Sequence, residues 1–257
     1  MNGNCLVVLD LDGTSVRYEP RLEMEPGLMQ YIASLRQDGV AWAMNSDRYT
    51  EAMIDIAAML VPEQRPAAIL SCQRFIHLLD GDEQYRPCSP WNNSQMLLHR
   101  DLWEKISPLF HQWQRLIDAR FSVVDRVIND LVFAYMVPSD ETPHLRRCIE
   151  ELVSPWPDAQ LSGNKEWTFI LHEAFSKAGI LKKCAELLGV NRQNIIAVGD
   201  GYNDITMLNG SVAAKVGCPA DASSEVIDTV RRAGGFIAPG DNTAGTLQVL
   251  RHYLEQG

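Results

Sequence analysis

Two pairs of acidic residues stand out as groups that could do chemistry. Asp10 and Asp12 come directly after an apolar run, residues 5–9, and a Gly-Thr turn follows them. Two carboxylates this close repel each other, and they are tolerated at low cost only where a cation or a shared proton relieves the charge. A second pair, Asp200 and Asp204, follows another apolar run. Together the four acids predict an all-oxygen site, which suits a hard cation such as Mg²⁺ better than zinc.

Two further residues suit the binding of phosphate oxygens. Ser46 follows the apolar run 40–44, and Lys177 starts a predicted helix. A hydroxyl donor and a fixed positive charge form a natural clamp for phosphate, so the acids and the clamp together favour phosphoryl transfer from a monoester. Two simpler roles stay open. Ser46 could cap the helix that follows it, and Lys177 could be an ordinary exposed helix lysine.

The segments around these residues predict a parallel sheet. Four short apolar runs are typical of strands buried on both faces, and they occupy residues 5–9, 40–44, 67–70 and 194–198. Helical spacing of apolar residues predicts helices at 26–37, 49–60 and 177–188. Strands that alternate with helices predict an α/β fold with a Rossmann-like, doubly wound parallel sheet. The carboxyl ends of such strands share one edge, so residues distant in sequence can meet there.

A different pattern separates the third of these strands from the fourth. Residues 81–90 combine two prolines, a glycine and several charges, which is typical of a linker. Beyond it the sequence predicts a long helix, a strand, a second helix and two more strands, at 94–117, 127–137, after Pro143, at 160–162 and at 167–171. We therefore predict an α+β domain at 81–171, inserted into an α/β core formed by 1–80 and 172–257. Short edge strands at 211–214 and 235–238 and a helix at 245–254 complete the predicted core.

Composition narrows the possible functions. The 257 residues are 46% hydrophobic and 22% charged, as in ordinary soluble globular proteins. A net charge of −10 argues against binding to nucleic acid or to an anionic membrane, but it is compatible with a small phosphorylated metabolite as partner. The six cysteines include no C-x-x-C pair, which favours reduced thiols over a zinc site or disulfides. No segment is typical of a signal peptide or a transmembrane helix, so we expect a cytoplasmic protein.

Four motifs together resemble the haloacid dehalogenase superfamily. They are Asp-Leu-Asp-Gly-Thr at 10–14, Ser-Asp-Arg at 46–48, Lys177 at a helix start, and Gly-Asp-Gly-Tyr-Asn-Asp at 199–204. The α+β insert between the second and third motifs resembles the cap domain of the Cof-type phosphatases, which include the sucrose-phosphate phosphatases. The resemblance covers the predicted core, whereas the insert is matched only by its position and element order.

The resemblance implies a phosphatase that uses Mg²⁺ and forms an aspartyl-phosphate. It assigns Asp10 as the nucleophile and Asp12 as the general acid and base. It places Mg²⁺ on Asp10, the Asp12 backbone carbonyl and Asp200, with Asp204 orienting the metal or its water. The residues implied to hold the phosphoryl group or the substrate are Ser46, Asp47 through its backbone N–H, Arg48, Lys177 and Asn203. The implied substrate is a small sugar phosphate or a similar metabolite.

The sequence departs from the usual pattern of the superfamily at Asp47, at Cys72 and Gln73, at Ala178, which replaces a glycine, and at 215–220. Asp47 stands where the second motif usually has glycine, and a carboxylate so near the phosphate is unfavourable unless it points away or pairs with Arg48. Cys72 and Gln73 stand where the third strand usually ends in Asn-Gly. These departures bear on the substrate more than on the class of reaction.

Two rival functions are compatible with the same residues. One is a phosphotransferase or mutase that passes the phosphoryl group from Asp10 to a second hydroxyl. The other is a non-catalytic module that binds a phosphorylated ligand, which the joint presence of Asp10, Asp12, Lys177 and Asp200 disfavours. Product analysis with an excess of acceptor alcohol would separate transfer from hydrolysis.

Overall fold

The computed structural model describes residues 5–17 and 23–255, and it divides the chain into two compact units. The first, here called the core unit, contains the residues up to Asn92 and those from Ser176 onward. The second, the inserted unit, is Asn93–Phe175. The core unit has a parallel-rich sheet and the inserted unit an antiparallel one, which confirms the predicted fold class.

The first part of the core unit alternates strands and helices as predicted. Its elements are β1 (Leu6–Leu9), β2 (Val16–Arg17), β3 (Glu23–Met24), α1 (Pro26–Gln37), β4 (Ala41–Ser46), α2 (Thr50–Ala58), β5 (Ala68–Ser71), β6 (Phe75–Leu79) and β7 (Tyr85–Pro87). Helix α1 begins at Pro26, whose fixed φ suits a first turn, and Glu25 caps it by accepting from the Leu28 N–H at 2.7 Å. The predicted linker at 81–90 contains β7, which pairs antiparallel with β6 and extends the core sheet.

The inserted unit packs helices on a four-stranded antiparallel sheet. Its elements are α3 (Ser89–Ile106, which begins before the unit's first residue), α4 (Phe110–Asp118), β8 (Asp125–Ile128), β9 (Phe133–Met136), α5 (Thr142–Val153), β10 (Ala159–Asn164) and β11 (Trp167–His172). The strand order is β10-β11-β9-β8. Aromatic side chains dominate its buried core, where Phe133 packs edge-on against Trp113.

Two predicted elements of the inserted unit were wrong in extent. The helix predicted at 94–117 is broken by a 3₁₀ turn, Ser107–Leu109, because Pro108 has no N–H to continue the helical ladder. The strand predicted at 127–137 is instead the hairpin of β8 and β9. The Asn129 side chain accepts hydrogen bonds from the N–H groups of Leu131 and Val132, at 2.8 and 3.0 Å, and so forms the turn between them.

The last part of the core unit returns to the α/β pattern. Its elements are α6 (Lys177–Leu188), β12 (Ile195–Val198), α7 (Ile205–Leu208), β13 (Lys215–Cys218), α8 (Ser224–Arg232), β14 (Phe236–Ile237) and α9 (Asn242–Glu255). Helix α6 ends at Gly189, which adopts the left-handed conformation with φ 66°. The strand predicted at 211–214 was wrong. A turn in which Asn209 accepts from the Ser211 N–H occupies the start of that segment, and the strand begins at Lys215.

The core sheet places β1 at its centre. The strand order is β14-β13-β12-β1-β4-β5-β6-β7, and the pairs from β14 to β5 are parallel. The chain proceeds outward in one direction from β1 to β5 and in the other from β12 to β14, so a topological switch point lies between β1 and β12. Leu9 pairs with both Val198 and Met44, so β1, β12 and β4 end close together. Ligands of such sheets bind at this crevice. In residues 5–17 and 23–255 no helix is long and apolar enough to cross a membrane.

Candidate active site

Asp10 lies at the carboxyl end of β1, at the switch point of the sheet. Its N–H donates to the Val198 carbonyl at 2.9 Å, which extends the pairing of β1 with β12 by one residue. Asp10 is only 2% exposed, and the Ser15 hydroxyl donates to its backbone carbonyl. The carboxylate is therefore held at the end of a rigid buried strand.

Lys177 is the first residue of α6 and is completely buried. Ser176 caps the helix by accepting from the Gly179 N–H at 3.0 Å. Lys177 Nζ donates to Asp10 Oδ1 and, at 2.7 Å, to Asp204 Oδ1. The simpler interpretation of Lys177 as an exposed helix lysine is therefore wrong. Its ammonium group joins the carboxylates that follow β1 and β12.

Burial by itself would lower the pKa of Lys177, because a desolvated ammonium group loses its hydration. The carboxylates of Asp10, Asp204 and Asp47 outweigh this effect and raise the pKa of Lys177. The side chain therefore stays charged and supplies a permanent positive charge beside Asp10.

Asp10, Asp200 and Asp204 form a cluster that carries more negative charge than Lys177 can balance. Each offers an oxygen, and these oxygens lie within 4.8 Å of one another. Burial and the charge of Asp10 raise the pKa of Asp204 to about 7, and burial with the charges of Asp10 and Asp204 raises the pKa of Asp200. A hard divalent cation that prefers oxygen ligands would relieve this repulsion, so the three side chains fit Mg²⁺.

Local hydrogen bonds fix the two distal acids of this cluster. Asp204 Oδ2 accepts from the N–H groups of Asp200 and Gly201, at 3.0 and 2.9 Å. Thr14 Oγ1 donates to Asp200 Oδ1 at 2.7 Å. The loops after β1 and β12 are thus bonded directly to each other. Thr14 had no predicted role, although it stands in the same Asp-Gly-Thr motif as Asp10.

Gly13 allows these two loops to approach. Its φ is 92°, a conformation that favours glycine, and a Cβ at this position would lie 2.3 Å from Asp200 Oδ2. A side chain here would displace Asp200 from the acid cluster. The glycine that the sequence suggested as a turn signal is therefore also required by the close packing of the site.

Asp12 points its carboxylate at Arg48. The Arg48 Nε lies 2.9 Å from Asp12 Oδ2 and its Nη2 lies 3.1 Å from Oδ1. Both side chains are partly exposed. The carboxylate of Asp12 does not belong to the cluster of Asp10, Asp200 and Asp204, so a metal role for Asp12 would rest on its backbone carbonyl, as the resemblance implies.

Ser46 is buried at the end of β4 and accepts from the Arg48 N–H at 3.3 Å. Helix α2 begins at Thr50 with Tyr49 as its N-cap, so Ser46 does not cap that helix. Its neighbour Asn45 had no predicted role. The Asn45 side-chain amide donates to the Lys177 carbonyl at 3.1 Å and so ties the start of α6 to the end of β4.

Asp47 is held by two side-chain amides. Gln73 Nε2 donates to Asp47 Oδ1 at 2.8 Å, and Asn203 Nδ2 donates to Asp47 Oδ2. Both amide side chains are 4% exposed. Burial raises the pKa of Asp47. The carboxylate was expected either to point away or to pair with Arg48. It binds instead to the predicted phosphate ligand Asn203.

The family model of the haloacid dehalogenase-like hydrolases matches residues 108–227, a stretch that contains Lys177 and the 199–204 motif. The match covers slightly less than half of the chain. It confirms the resemblance inferred from the motifs.

Curated relatives match this chain over part of their length. YxeH of Bacillus subtilis strain 168 is 23% identical over 181 residues, which are 70% of this chain and 60% of YxeH. Phosphoglycolate phosphatase of Methanospirillum hungatei JF-1 is 25% identical over 163 residues, 62% of this chain and 64% of that enzyme. The chain thus spans less than two thirds of the length of these relatives.

Solved structures show the same fold over nearly the whole chain. The sucrose-phosphatase of Synechocystis sp. PCC6803, in complex with sucrose and phosphate, has a TM-score of 0.74 with 14% identity, and 98% of each chain is covered. A haloacid dehalogenase-like hydrolase of Bacteroides thetaiotaomicron has a TM-score of 0.65 with 17% identity, covering 98% of this chain and 99% of that one.

Cys72 and Gln73 adopt a backbone conformation that is unfavourable for these residue types. Both residues have positive φ, 52° and 57°. Asn and Gly, the usual residues of the superfamily at this point, tolerate that conformation best, whereas Cys and Gln adopt it at a cost of about 1 kcal/mol or more each. From this strained backbone, the Gln73 side chain binds Asp47.

Proposed function

We propose that the protein is a Mg²⁺-dependent phosphatase that hydrolyses a small phosphomonoester through an aspartyl-phosphate on Asp10. The observation that carries the proposal is the buried Lys177 ammonium group, which bonds to Asp10 at the end of β1 and to Asp204 beyond β12. A cation held between an attacking carboxylate and an acid cluster suits a reaction that brings a phosphate dianion to that carboxylate.

The first step would form the covalent intermediate. A carboxylate oxygen of Asp10 attacks phosphorus, a new P–O bond forms, and the P–O bond to the leaving alcohol breaks. Asp12 gives its proton to the leaving oxygen. In the second step water attacks the same phosphorus, Asp12 takes the proton of that water, and the Asp10–phosphorus bond breaks to release phosphate and the free carboxylate.

The remaining polar residues would position the phosphoryl group. Ser46 offers a hydroxyl, Lys177 a fixed charge and Asn203 an amide, and the Asp47 N–H lies in the same loop as Ser46. Aligning the phosphoryl group and stabilising its charge account for most of the catalysis of phosphoryl transfer.

Mg²⁺ would be held by Asp10, Asp200 and the Asp12 carbonyl, with Asp204 nearby. Bound there, it supplies the charge neutralisation that lets a carboxylate approach a phosphate. The raised pKa values of Asp200 and Asp204 and the excess of acid over Lys177 support this assignment.

A small sugar phosphate or a related phosphorylated metabolite is the proposed substrate class. Two relatives support it by their names, a sucrose-phosphatase with the same fold and a phosphoglycolate phosphatase of related sequence. The net charge of −10 disfavours nucleic acid or an anionic membrane as a partner. All six cysteines are free, which supports a reducing, cytoplasmic location.

Phosphate release from a panel of sugar phosphates and other phosphorylated metabolites tests the proposal. We expect release that requires Mg²⁺ and is absent from the Asp10→Asn variant. Activity that survives Asp10→Asn would refute the mechanism. A parallel reaction with excess acceptor alcohol tests the phosphotransferase alternative, because phosphorylated acceptor in place of free phosphate would identify transfer.

A further inference from the structure

Asp47 accepts a hydrogen bond from the Asn203 amide, and the proposed function needs that amide as a donor to phosphate. Asn203 Nδ2 donates to Asp47 Oδ2, and among the described residues Asn203 Oδ1 has no hydrogen-bond partner. Because Asn203 is 4% exposed, its amide has little access to water. The bond to Asp47 therefore sets the direction in which the Asn203 amide points.

Gln73 holds Asp47 in this place. Its Nε2 donates to Asp47 Oδ1 at 2.8 Å from a backbone with φ 57°, in the left-handed region. The two bonds use both carboxylate oxygens of Asp47. Asp47 and Gln73 are far apart in sequence and both depart from the usual superfamily pattern. They are thus directly bonded to each other.

The same carboxylate adds negative charge next to the proposed phosphoryl site. Asp47 interacts electrostatically with the Lys177 ammonium group and with the Asp10 carboxylate. A phosphoryl group bound to Lys177 and Asn203 would bring further negative charge to the same two residues. Like charges in a poorly hydrated site repel strongly, so Asp47 opposes tight binding of an oxyanion.

We propose that Asp47, held by Gln73, is a positioning residue that competes for Asn203 and weakens oxyanion binding, so that the phosphate product leaves readily. This inference rests on the proposed function for the identity of the oxyanion. It assigns a role to the residue that stands where the superfamily usually has glycine, and it explains why that residue is accompanied by Gln73.

The Asp47→Asn variant tests the proposal, because it keeps the size of the side chain and removes its charge. Calorimetric titration with inorganic phosphate in the presence of Mg²⁺ should show binding at least about tenfold tighter than in the wild type, which is about 1.4 kcal/mol. KM for a substrate found in the panel should fall while kcat does not rise. Damage to the structure alone would change KM in the opposite direction.

Two controls sharpen this test. Asp55→Asn removes one charge from an exposed position on α2 and should leave phosphate affinity unchanged. Gln73→Ala should tighten phosphate binding by itself and add nothing in an Asp47→Gly background, because Gln73 then has no carboxylate to hold. If Gln73→Ala tightens phosphate binding equally in the wild-type and Asp47→Gly backgrounds, Gln73 does not act through Asp47.

The outcomes separate this inference from the proposed function. If Asp47→Asn is folded by circular dichroism and binds phosphate no more tightly than the wild type, the inference is wrong, even where the phosphatase activity is found. If no monoester is hydrolysed but phosphate binding tightens as expected, the proposed function fails and the role of Asp47 in oxyanion binding stands.

Discussion

The guanidinium group of Arg48 binds the carboxylate of Asp12 through both of its oxygens, with Nε 2.9 Å from Oδ2 and Nη2 3.1 Å from Oδ1. This two-point contact fixes the direction of the Asp12 side chain, because a planar guanidinium group matches a carboxylate in one orientation. Arg48 was predicted to contact substrate. Its contact with Asp12 gives it a direct way to affect the proposed proton transfer.

Arg48→Ala should lower kcat by about 10- to 100-fold, since general acid–base catalysis contributes about 10²–10⁴-fold and depends on the placement of the acid. Arg48→Lys should recover only part of the loss, because an ammonium group cannot make the two-point contact. Steady-state kinetics on the substrate found in the panel measures both. In an Asp12→Asn background, Arg48→Ala should lower kcat little further. If the double variant instead loses kcat by the product of the two separate losses, Arg48 acts on substrate independently of Asp12.

The stability of the metal-free protein should fall as the pH rises from about 4 to about 7. Asp204 has a pKa of about 7 in the fold and an ordinary value, 3.8, as reference for the unfolded chain. Between these values the folded state keeps a proton that the unfolded state has lost, so each rise in pH favours unfolding, and above pH 7 the effect is complete. The loss is on the order of 4 kcal/mol.

Urea unfolding in the presence of a chelator, at a series of pH values, measures this loss. In the Asp204→Asn variant, the free energy of unfolding should fall distinctly less steeply with pH. Comparing the slopes of free energy against pH does not depend on the absolute stability of the variant. Parallel slopes for the variant and the wild type would contradict the raised pKa of Asp204.

Mg²⁺ should raise the melting temperature of the protein in a saturable way. A ligand that binds only the folded state stabilises it by about 2.7 kcal/mol at 100 times its Kd. Asp200→Asn should abolish most of the shift, because it removes a carboxylate of the acid cluster. Asp12→Asn is the matched control and should keep most of the shift, since only the backbone carbonyl of Asp12 is assigned to the metal. A full Mg²⁺ shift in Asp200→Asn would place the cation elsewhere.

Gly13→Ala should destabilise the fold and weaken Mg²⁺ binding together. The added Cβ would lie 2.3 Å from Asp200 Oδ2, and φ is 92°. Gly39→Ala separates the two causes, because Gly39 also has a positive φ, 79°, but no atom lies within 4 Å of its added Cβ. We expect Gly39→Ala to cost about 1 kcal/mol and to leave Mg²⁺ affinity unchanged. Thermal unfolding with and without Mg²⁺ measures both effects, and equal losses in the two variants would show that only backbone strain matters.

Much of the architecture could be predicted because it depends on local patterns. The apolar runs that became β1, β4, β5 and β12 are buried on both faces, and the helices at 26–37 and 177–188 have the predicted bounds. The helix predicted at 94–117 failed at Pro108, and two strand predictions failed where a single polar side chain decides the local structure. The Asn129 side chain forms the turn that divides β8 from β9, and the turn at Asn209 displaces the following strand to Lys215.

By itself the sequence determined which groups stand at the ends of the central strands, because a buried strand followed by an acid is a local pattern. It thereby indicated Asp10, Asp12, Ser46, Lys177 and the 199–204 motif as candidates for one site. The partners of those groups were decided only by the tertiary structure. Gln73 with Asp47, Arg48 with Asp12 and Thr14 with Asp200 are contacts between different loops, and such contacts depend on how parallel strands are ordered in the sheet, which no local pattern specifies.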